Sequence, residues 1–235
     1  MRIFVLTGAG ISAESGMGTF RDSGGIWERF DPMKLATPEA FAADPETVQA
    51  FYNARRANLR AAEPNRAHAA LARLEAGLAE VSGSLFLCTQ NIDDLHERAG
   101  SRHVHHMHGE LFKARCTACG SVHDWRDDLG RDDHCGACGT TGRLRPHIVW
   151  FGEIPFGLDD IGEALAGADL FVAIGTSGSV YPAAGLVQEA RMMGLRTCEL
   201  NLAPSDNAHI FDERAYGPAS ETVPDFVARV LAELR

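Results

Sequence analysis

The chain has 235 residues, 45% of them hydrophobic, and a formal net charge of −10. That length suits one large domain or a main domain carrying a small insert. The acidic balance argues against a nucleic-acid binder, which must neutralise phosphates, but it would attract basic protein substrates. No apolar run approaches a membrane span, and Met1-Arg2 leads straight into an apolar segment with no signal-peptide pattern. The expectation is a cytoplasmic protein, without nucleic-acid or membrane partners, in which thiols stay reduced.

Ile3 to Leu6 reads as a buried strand, and the Gly-rich stretch from Thr7 to Gly16 follows it. A strand running into such a turn presents backbone N–H groups to a phosphate, and Gly8 and Gly10 would admit an anion where a Cβ would obstruct it. Ala13 replaces the third glycine of the dinucleotide fingerprint, and no acidic residue closes a second strand about twenty residues later. A tight turn with no ligand is therefore an equal reading of this segment alone. Pro45 to Arg60 and Asn65 to Ala79 carry helical spacing, and Leu85 to Cys88 reads as a second strand. Ile161 to Ala166 and Ala183 to Met193 are further helical segments, interleaved with strands at Leu170 to Ile174 and Thr197 to Leu200. Short, continuously apolar strands alternating with helices imply an α/β fold with a doubly wound parallel sheet.

Polar or Gly-rich residues follow each of these strands, at the end where open α/β sheets bind ligands. After the second come Gln90, Asn91, Ile92 and Asp93, whose amides and carboxylate suit ribose hydroxyls and a carboxamide, or else cap the next helix. Gly175, Thr176 and Ser177 follow the third strand, and Asn201-Leu202 the fourth. His103, His105, His106 and His108 crowd together, and His108 stands apart because Gly109 gives it a tight turn. An imidazole presented there suits a general base. The other three fit a strand or the surface.

Cys116-Thr-Ala-Cys119 and Cys135-Gly-Ala-Cys138 are two C-x-x-C pairs, each followed by glycine. Four thiolates at this spacing suit one tetrahedral Zn²⁺ with no open position, hence a structural site that replaces a core too small to fold the segment, ahead of iron–sulfur ligation, free thiols or two disulfides. Cys88 and Cys198 read as small core residues.

Together these segments resemble the sirtuins, the NAD-dependent protein lysine deacylases, and most closely their bacterial CobB-type, class III-like members. The matching residues are Gly8 to Gly16 with Phe20-Arg21, Thr89 to His96, His108-Gly109, the paired cysteine knuckles, Val149 to Glu153 and Gly175 to Ser177. The resemblance implies a Rossmann-like sheet with a small zinc-binding insert domain, NAD and an acyl-lysine substrate meeting between them. The division it implies is 1–30, 61–112 and 146–235 for the nucleotide-binding part, 31–60 for a helical insert carrying acyl-pocket residues and 113–145 for the zinc insert. By the same resemblance, Gly8, Ala9, Gly10 and Ser12 line the phosphates, and Phe20 and Arg21 belong to a cofactor loop. Gln90, Asn91, Ile92 and Asp93 hold the nicotinamide side. Gly175, Thr176, Ser177, Asn201, Leu202 and Ala219 hold the adenosine side. Val149, Trp150, Phe151, Gly152 and Glu153 pair with the substrate backbone as an added strand. The implied chemistry releases nicotinamide, uses His108 to deprotonate a ribose hydroxyl with Asn91 and Asp93 at its side, and yields free lysine and O-acyl-ADP-ribose.

Tyr52 and Arg55 lie three residues apart on a predicted helix and so share a face. In CobB-type sirtuins such a pair recognises acidic acyl groups, and a guanidinium beside a phenol suits a carboxylate. Ala36 matches the small residue that leaves room for a longer acyl chain. The expected activity is thus removal of succinyl, malonyl, glutaryl and acetyl groups from lysines of acylated proteins, by a monomer. Mono-ADP-ribosyl transfer would use the same cofactor cleavage. A plain dehydrogenase lacks support, since the ribose-binding acid is missing and a zinc module is inserted.

Overall fold

The computed structural model describes residues 1–19, 26 and 31–234, so Phe20 and Arg21 lie outside the described residues. In chain order, β1 (Arg2–Thr7) is followed by α1 (Pro38–Ala43), α2 (Pro45–Ala61) and α3 (Arg66–Glu80). Then come β2 (Ser84–Thr89), the single turn α4 (Leu95–Arg98), β3 (Val104–His106), β4 (Gly109–Cys116), β5 (Val122–Asp124) and β6 (Leu144–Ile148). The last part holds α5 (Leu158–Ala166), β7 (Leu170–Ile174), α6 (Leu186–Met192), β8 (Arg196–Asn201), β9 (Glu213–Tyr216) and α7 (Ala219–Glu233).

Six strands form one all-parallel sheet in the order β3-β2-β1-β7-β8-β9. Counted within the sheet this is 3-2-1-4-5-6, the Rossmann order. The continuous apolar run of β1 follows from covering both faces. Ile3 and Val5 point to a core with Leu71, Leu74 and Leu78 of α3 and Val223, Val227 and Val230 of α7. Phe4 and Leu6 point the other way, to Phe171 with Ile161 and Leu165 of α5 and Val187 of α6. Each such side chain, fully buried, contributes roughly 1.5–3 kcal/mol.

Helix starts are set by side chains that satisfy otherwise orphaned N–H groups. Asp44 accepts from the N–H of Thr47 at α2, and Asn65 caps α3 in a reciprocal box with His68. Asn65 also donates to the Ile11 carbonyl at 2.8 Å, which ties α3 to the turn after β1.

A second sheet, antiparallel and ordered β5-β4-β6, carries the cysteine segment and runs from Gly109 to Ile148. It packs on α2 through Val48, Tyr52, Leu59, Leu111, Phe112, Ile148 and Trp150. Among the described residues no helix is long and apolar enough to cross a membrane.

Four strands were legible as apolar runs; β3 and β9 were not. β3 has three residues, and β9 is an edge strand with the sequence ERAY, three of its four residues exposed. The helix α7 also goes beyond expectation. Pro224 interrupts its hydrogen-bond ladder, yet Val223, Phe226, Val227 and Val230 are spaced for one buried face. The segment expected to be helical from Ala183 to Met193 is a 3-10 turn followed by α6.

Candidate active site

The loops after β1 and β7 leave neighbouring strands in opposite directions, which makes their ends the switch point of the sheet. They touch backbone to backbone. The Gly8 N–H donates to the Ile174 carbonyl and the Gly10 N–H to the Gly175 carbonyl, both at 2.9 Å. A Cβ on Gly8 would stand 2.6 Å from the Gly175 oxygen, and one on Gly10 would stand 2.7 Å from the Gly175 Cα. Gly175 in turn has φ +62° and faces the backbone of Gly10 and Ile11. The missing Cβ atoms thus serve first the packing of two loops, where the sequence suggested room for an anion.

Above this junction lies a cleft of about 1080 Å³. Gly8, Ala9 and Gly10 line one wall, and Gly175, Thr176 and Ser177 the wall beside it. Asn201, Leu202 and Ala219 lie along the same side, Ala219 being the first residue of α7. Gln90, Asn91, Ile92 and His108 line the middle, and Ala36, Tyr52, Arg55 and the segment from Val149 to Glu153 the far end. Ala13, Glu14 and the rim from Ala203 to Asp206 also line it. No motif in the sequence singled out that rim, because its residues are ordinary loop residues until β8 and β9 bring them round.

Ser12 and Asp93 are buried just beneath the lining. Asn91 Nδ2 donates to the Gly8 carbonyl and to Ser12 Oγ, each at 3.1 Å, and Ser12 donates to Asp93 Oδ2 at 3.0 Å. Asp93 Oδ1 accepts the Leu95 N–H at 3.2 Å, so the carboxylate also serves the start of α4. Burial raises the Asp93 pKa against the opposing hydrogen bonds from Ser12 and Leu95. The N-cap position of α4 is Asp94, with Asp93 bonding the first helical N–H beside it, while Asn91 lines the cleft.

His108 Nδ1 lies 3.1 Å from the Gln90 carbonyl. A carbonyl only accepts, so Nδ1 carries the hydrogen and Nε2 is left as the basic nitrogen. Burial lowers the His108 pKa below its usual value, which keeps the ring neutral near pH 7. The other histidines of the tract have separate duties. His103 lies 2.9 Å from Glu75 at the surface, and His105 Nε2 meets the Phe156 carbonyl. His106 lies 2.6 Å from Glu97; burial opposes its charge, but that hydrogen bond prevails and raises its pKa.

Tyr52 and Arg55 stand one turn apart on α2 and both line the cleft. The Tyr52 ring is 4% exposed, and burial pushes its phenol up to about 12. Burial lowers the Arg55 pKa, opposed by Tyr52 and Asp93, while the guanidinium stays cationic at neutral pH. Between Val149 and Glu153 the chain makes a turn, and most of its N–H groups are engaged. Val149 donates to the His108 carbonyl, Phe151 to the Ala36 carbonyl and Trp150 to Glu153 Oε2, each at 2.9 Å. Glu153 donates to the Trp150 carbonyl at the same distance. Backbone pairing with a substrate here would fall mainly to carbonyls. Arg145, which the sequence did not single out, grips Glu153 with two hydrogen bonds of 2.7 and 2.9 Å.

The four cysteines come together at the end of the second sheet, their sulfurs all within 4.8 Å of one another. Cys116 and Cys138 sulfurs are 3.8 Å apart, and Cys119 and Cys135 sulfurs 3.7 Å. A tetrahedral Zn²⁺ with Zn–S of about 2.3 Å requires S–S separations of about 3.8 Å, so the donor set fits zinc. Among the described residues this is the one metal-sized cluster of such side chains. Cys88 and Cys198 are buried core thiols, pushed up to about 12.

Residues 8–182 match the Sir2 family. A Caulobacter vibrioides protein named NAD-dependent protein deacylase is 62% identical over 234 residues, covering 100% of this chain and 98% of its own. An Escherichia coli protein of the same name is 56% identical over 236 residues, covering 100% of this chain and 84% of its own. Among solved structures, a Sir2 homolog–NAD complex superimposes with a TM-score of 0.88 at 39% identity, covering 100% of this chain and 91% of that one. A Sir2 complex with a deacetylated peptide and 3′-O-acetyl ADP-ribose gives 0.77 at 30% identity, over 98% and 92%.

Proposed function

The chain belongs to the Sir2 family, and we propose that it is an NAD-dependent protein-lysine deacylase taking acetyl and, through Tyr52 and Arg55, carboxylate-bearing acyl groups such as succinyl. The observation that carries the reading is one continuous cleft. It joins the two glycine loops at the sheet switch point to a neutral imidazole and then to a phenol–guanidinium pair.

NAD would lie along Gly8 to Gly10, Gly175 to Ser177, Asn201, Leu202 and Ala219, and it supplies the ribose carbon to which the acyl oxygen is transferred as nicotinamide leaves. Asn91, Gln90 and Ile92 orient the nicotinamide end, with Asn91 braced by Ser12 and Ser12 by Asp93. His108 takes a proton at Nε2 from a ribose hydroxyl, because its Nδ1 is committed to the Gln90 carbonyl. The cation of Arg55 and the un-ionised phenol of Tyr52 receive an acyl carboxylate, and Ala36 leaves space for its chain. Zinc at Cys116, Cys119, Cys135 and Cys138 has a closed shell and a structural duty. An acidic surface suits lysine-rich segments of protein substrates, and reduced thiols at the zinc site suit the cytoplasm.

The test is mass spectrometry of matched acetyl-lysine and succinyl-lysine peptides with and without NAD. Loss of both acyl groups, dependent on NAD and yielding the O-acyl-ADP-ribose products, is expected. Arg55→Met should lower kcat/KM for the succinyl peptide at least tenfold more than for the acetyl peptide. Equal losses would remove the acidic-acyl part of the proposal, and labelled ADP-ribose on protein without O-acyl product would favour ADP-ribosyl transfer.

A further inference from the structure

The acyl end of the cleft contains a hydrogen bond whose direction is fixed by chemistry. Trp150 Nε1 lies 2.9 Å from the Tyr52 hydroxyl, and both side chains are buried. An indole N–H can only donate, so the phenol oxygen must accept. The phenol's own proton is then turned away from Trp150, and among the described residues it meets no acceptor. Tyr52 lines the cleft and remains un-ionised, so that proton is available to an acceptor entering beside Arg55.

The indole is itself held. The Arg145 guanidinium lies 3.4 Å from the centre of the Trp150 ring and is 5% exposed. Arg145 also forms the paired bonds to Glu153, whose Oε2 accepts the Trp150 backbone N–H. Ring and backbone of Trp150 are thereby fixed by one ion pair, and the indole can hold the phenol in a single orientation. A pocket built this way offers a phenol O–H donor and a cation.

We infer that Trp150 is a specificity-determining positioning residue: its indole N–H sets the Tyr52 hydroxyl as a donor toward the acyl terminus and so favours acyl groups ending in a carboxylate. This inference rests on the proposed recognition of such groups by Tyr52 and Arg55. Trp150 acts through Tyr52 and need not touch the acyl group.

Trp150→Phe keeps an aromatic ring for Arg145 and removes the N–H donor with part of the indole's volume, a packing loss that the acetyl peptide and the Tyr52→Phe background share. The experiment measures kcat and KM for succinyl-lysine and acetyl-lysine peptides at saturating NAD in wild type, Trp150→Phe, Tyr52→Phe and the double variant. Expected is a fall of about five- to tenfold in the succinyl-to-acetyl ratio of kcat/KM for Trp150→Phe, seen as a raised KM for the succinyl peptide. In the Tyr52→Phe background the same substitution should leave that ratio unchanged, because the hydroxyl it orients is gone. A proportional loss on both peptides, or a further fall in the ratio for the double variant, would overturn the inference and leave desuccinylation standing. Absence of succinyl removal by folded, zinc-loaded wild type would overturn the acidic-acyl reading and this inference with it.

Discussion

The two sheets are held together by different physics. The six-stranded sheet is sandwiched between apolar layers, with Leu71, Leu74, Leu78, Val223 and Val227 on one side and Phe171, Ile161, Leu165 and Val187 on the other. The buried cluster at the cysteine end of the second sheet consists of Ala114, Cys116, Leu129, Cys135 and Leu144, so two of its five members belong to the four-cysteine set that fits zinc. Burial of so few small side chains cannot offset the conformational entropy of ordering the segment, at roughly 1–2 kcal/mol per residue. Metal bonds must supply what apolar area does not. The cleft lies where the two regimes meet: β6 carries Ile148 directly into it, and β4 starts one residue after His108, which lines it. A failure at the metal end should therefore reach the chemistry.

Zinc removal is the strongest attack on this contrast, because apparent binding energies for structural zinc are about 10–16 kcal/mol. Chelation, or Cys135→Ser, should abolish amide-exchange protection in β4, β5 and β6 while β1, β2, β7 and β8 keep theirs, and activity should vanish with it. Equal protection in both sheets after complete zinc loss would show that the second sheet needs no metal. Next in size is His108→Ala. It leaves both cores untouched and removes the proposed base, so kcat should fall by about 10²–10⁴ with unchanged thermal stability. Unimpaired turnover would remove His108 from the mechanism. Leu74→Ala then probes the apolar regime alone. The side chain is 0% exposed between α3 and the sheet, and its truncation should cost about 2–5 kcal/mol in urea unfolding at saturating zinc. Excess zinc should not rescue it. Rescue would mean that the two regions do not divide their stabilisation as the buried clusters suggest.

Signals carried by local chemistry were legible in the sequence, and those created by packing were not. The four cysteines announce a metal by spacing alone, and β1, β2, β7 and β8 announce themselves as apolar runs because both faces are covered. The direction of the His108 proton could not be read, since it depends on the Gln90 carbonyl that the β2–β3 pairing brings near. Gly8 and Gly10 stood out as residues, but the reason for them lies in Gly175, a contact between loops far apart in sequence. Arg145 went unnoticed in Arg143-Leu-Arg-Pro because an arginine in a polar stretch reads as solvated. Only the fold stacks it on Trp150 and pairs it with Glu153.

Acid should separate the two regimes by the smallest effect and the clearest sign. Behind the glycine loop, His68 and His96 are buried with their rings 4.9 Å apart. Burial lowers His68 to about 4 from 6.5 and holds His96 well below its usual value. Both stay neutral when folded, whereas in the unfolded chain they take up protons below pH 6.5. For these two rings unfolding binds protons in that range, so their contribution to stability falls as the pH drops from about 6.5 toward 4, against an opposite contribution from His106. His68 alone accounts for about 2 kcal/mol between pH 7 and pH 5, obtained from its two pKa values by linkage. Acid also protonates thiolates and releases zinc, so the measurement must hold the metal end constant. Urea unfolding at pH 7 and pH 5, each with zinc shown to remain bound, compared between wild type and His68→Gln, isolates the His68 contribution. A pH dependence identical in the two proteins would mean that His68 takes up its proton inside the fold, at the expense of the α3 cap, because a protonated Nδ1 cannot accept the Asn65 N–H.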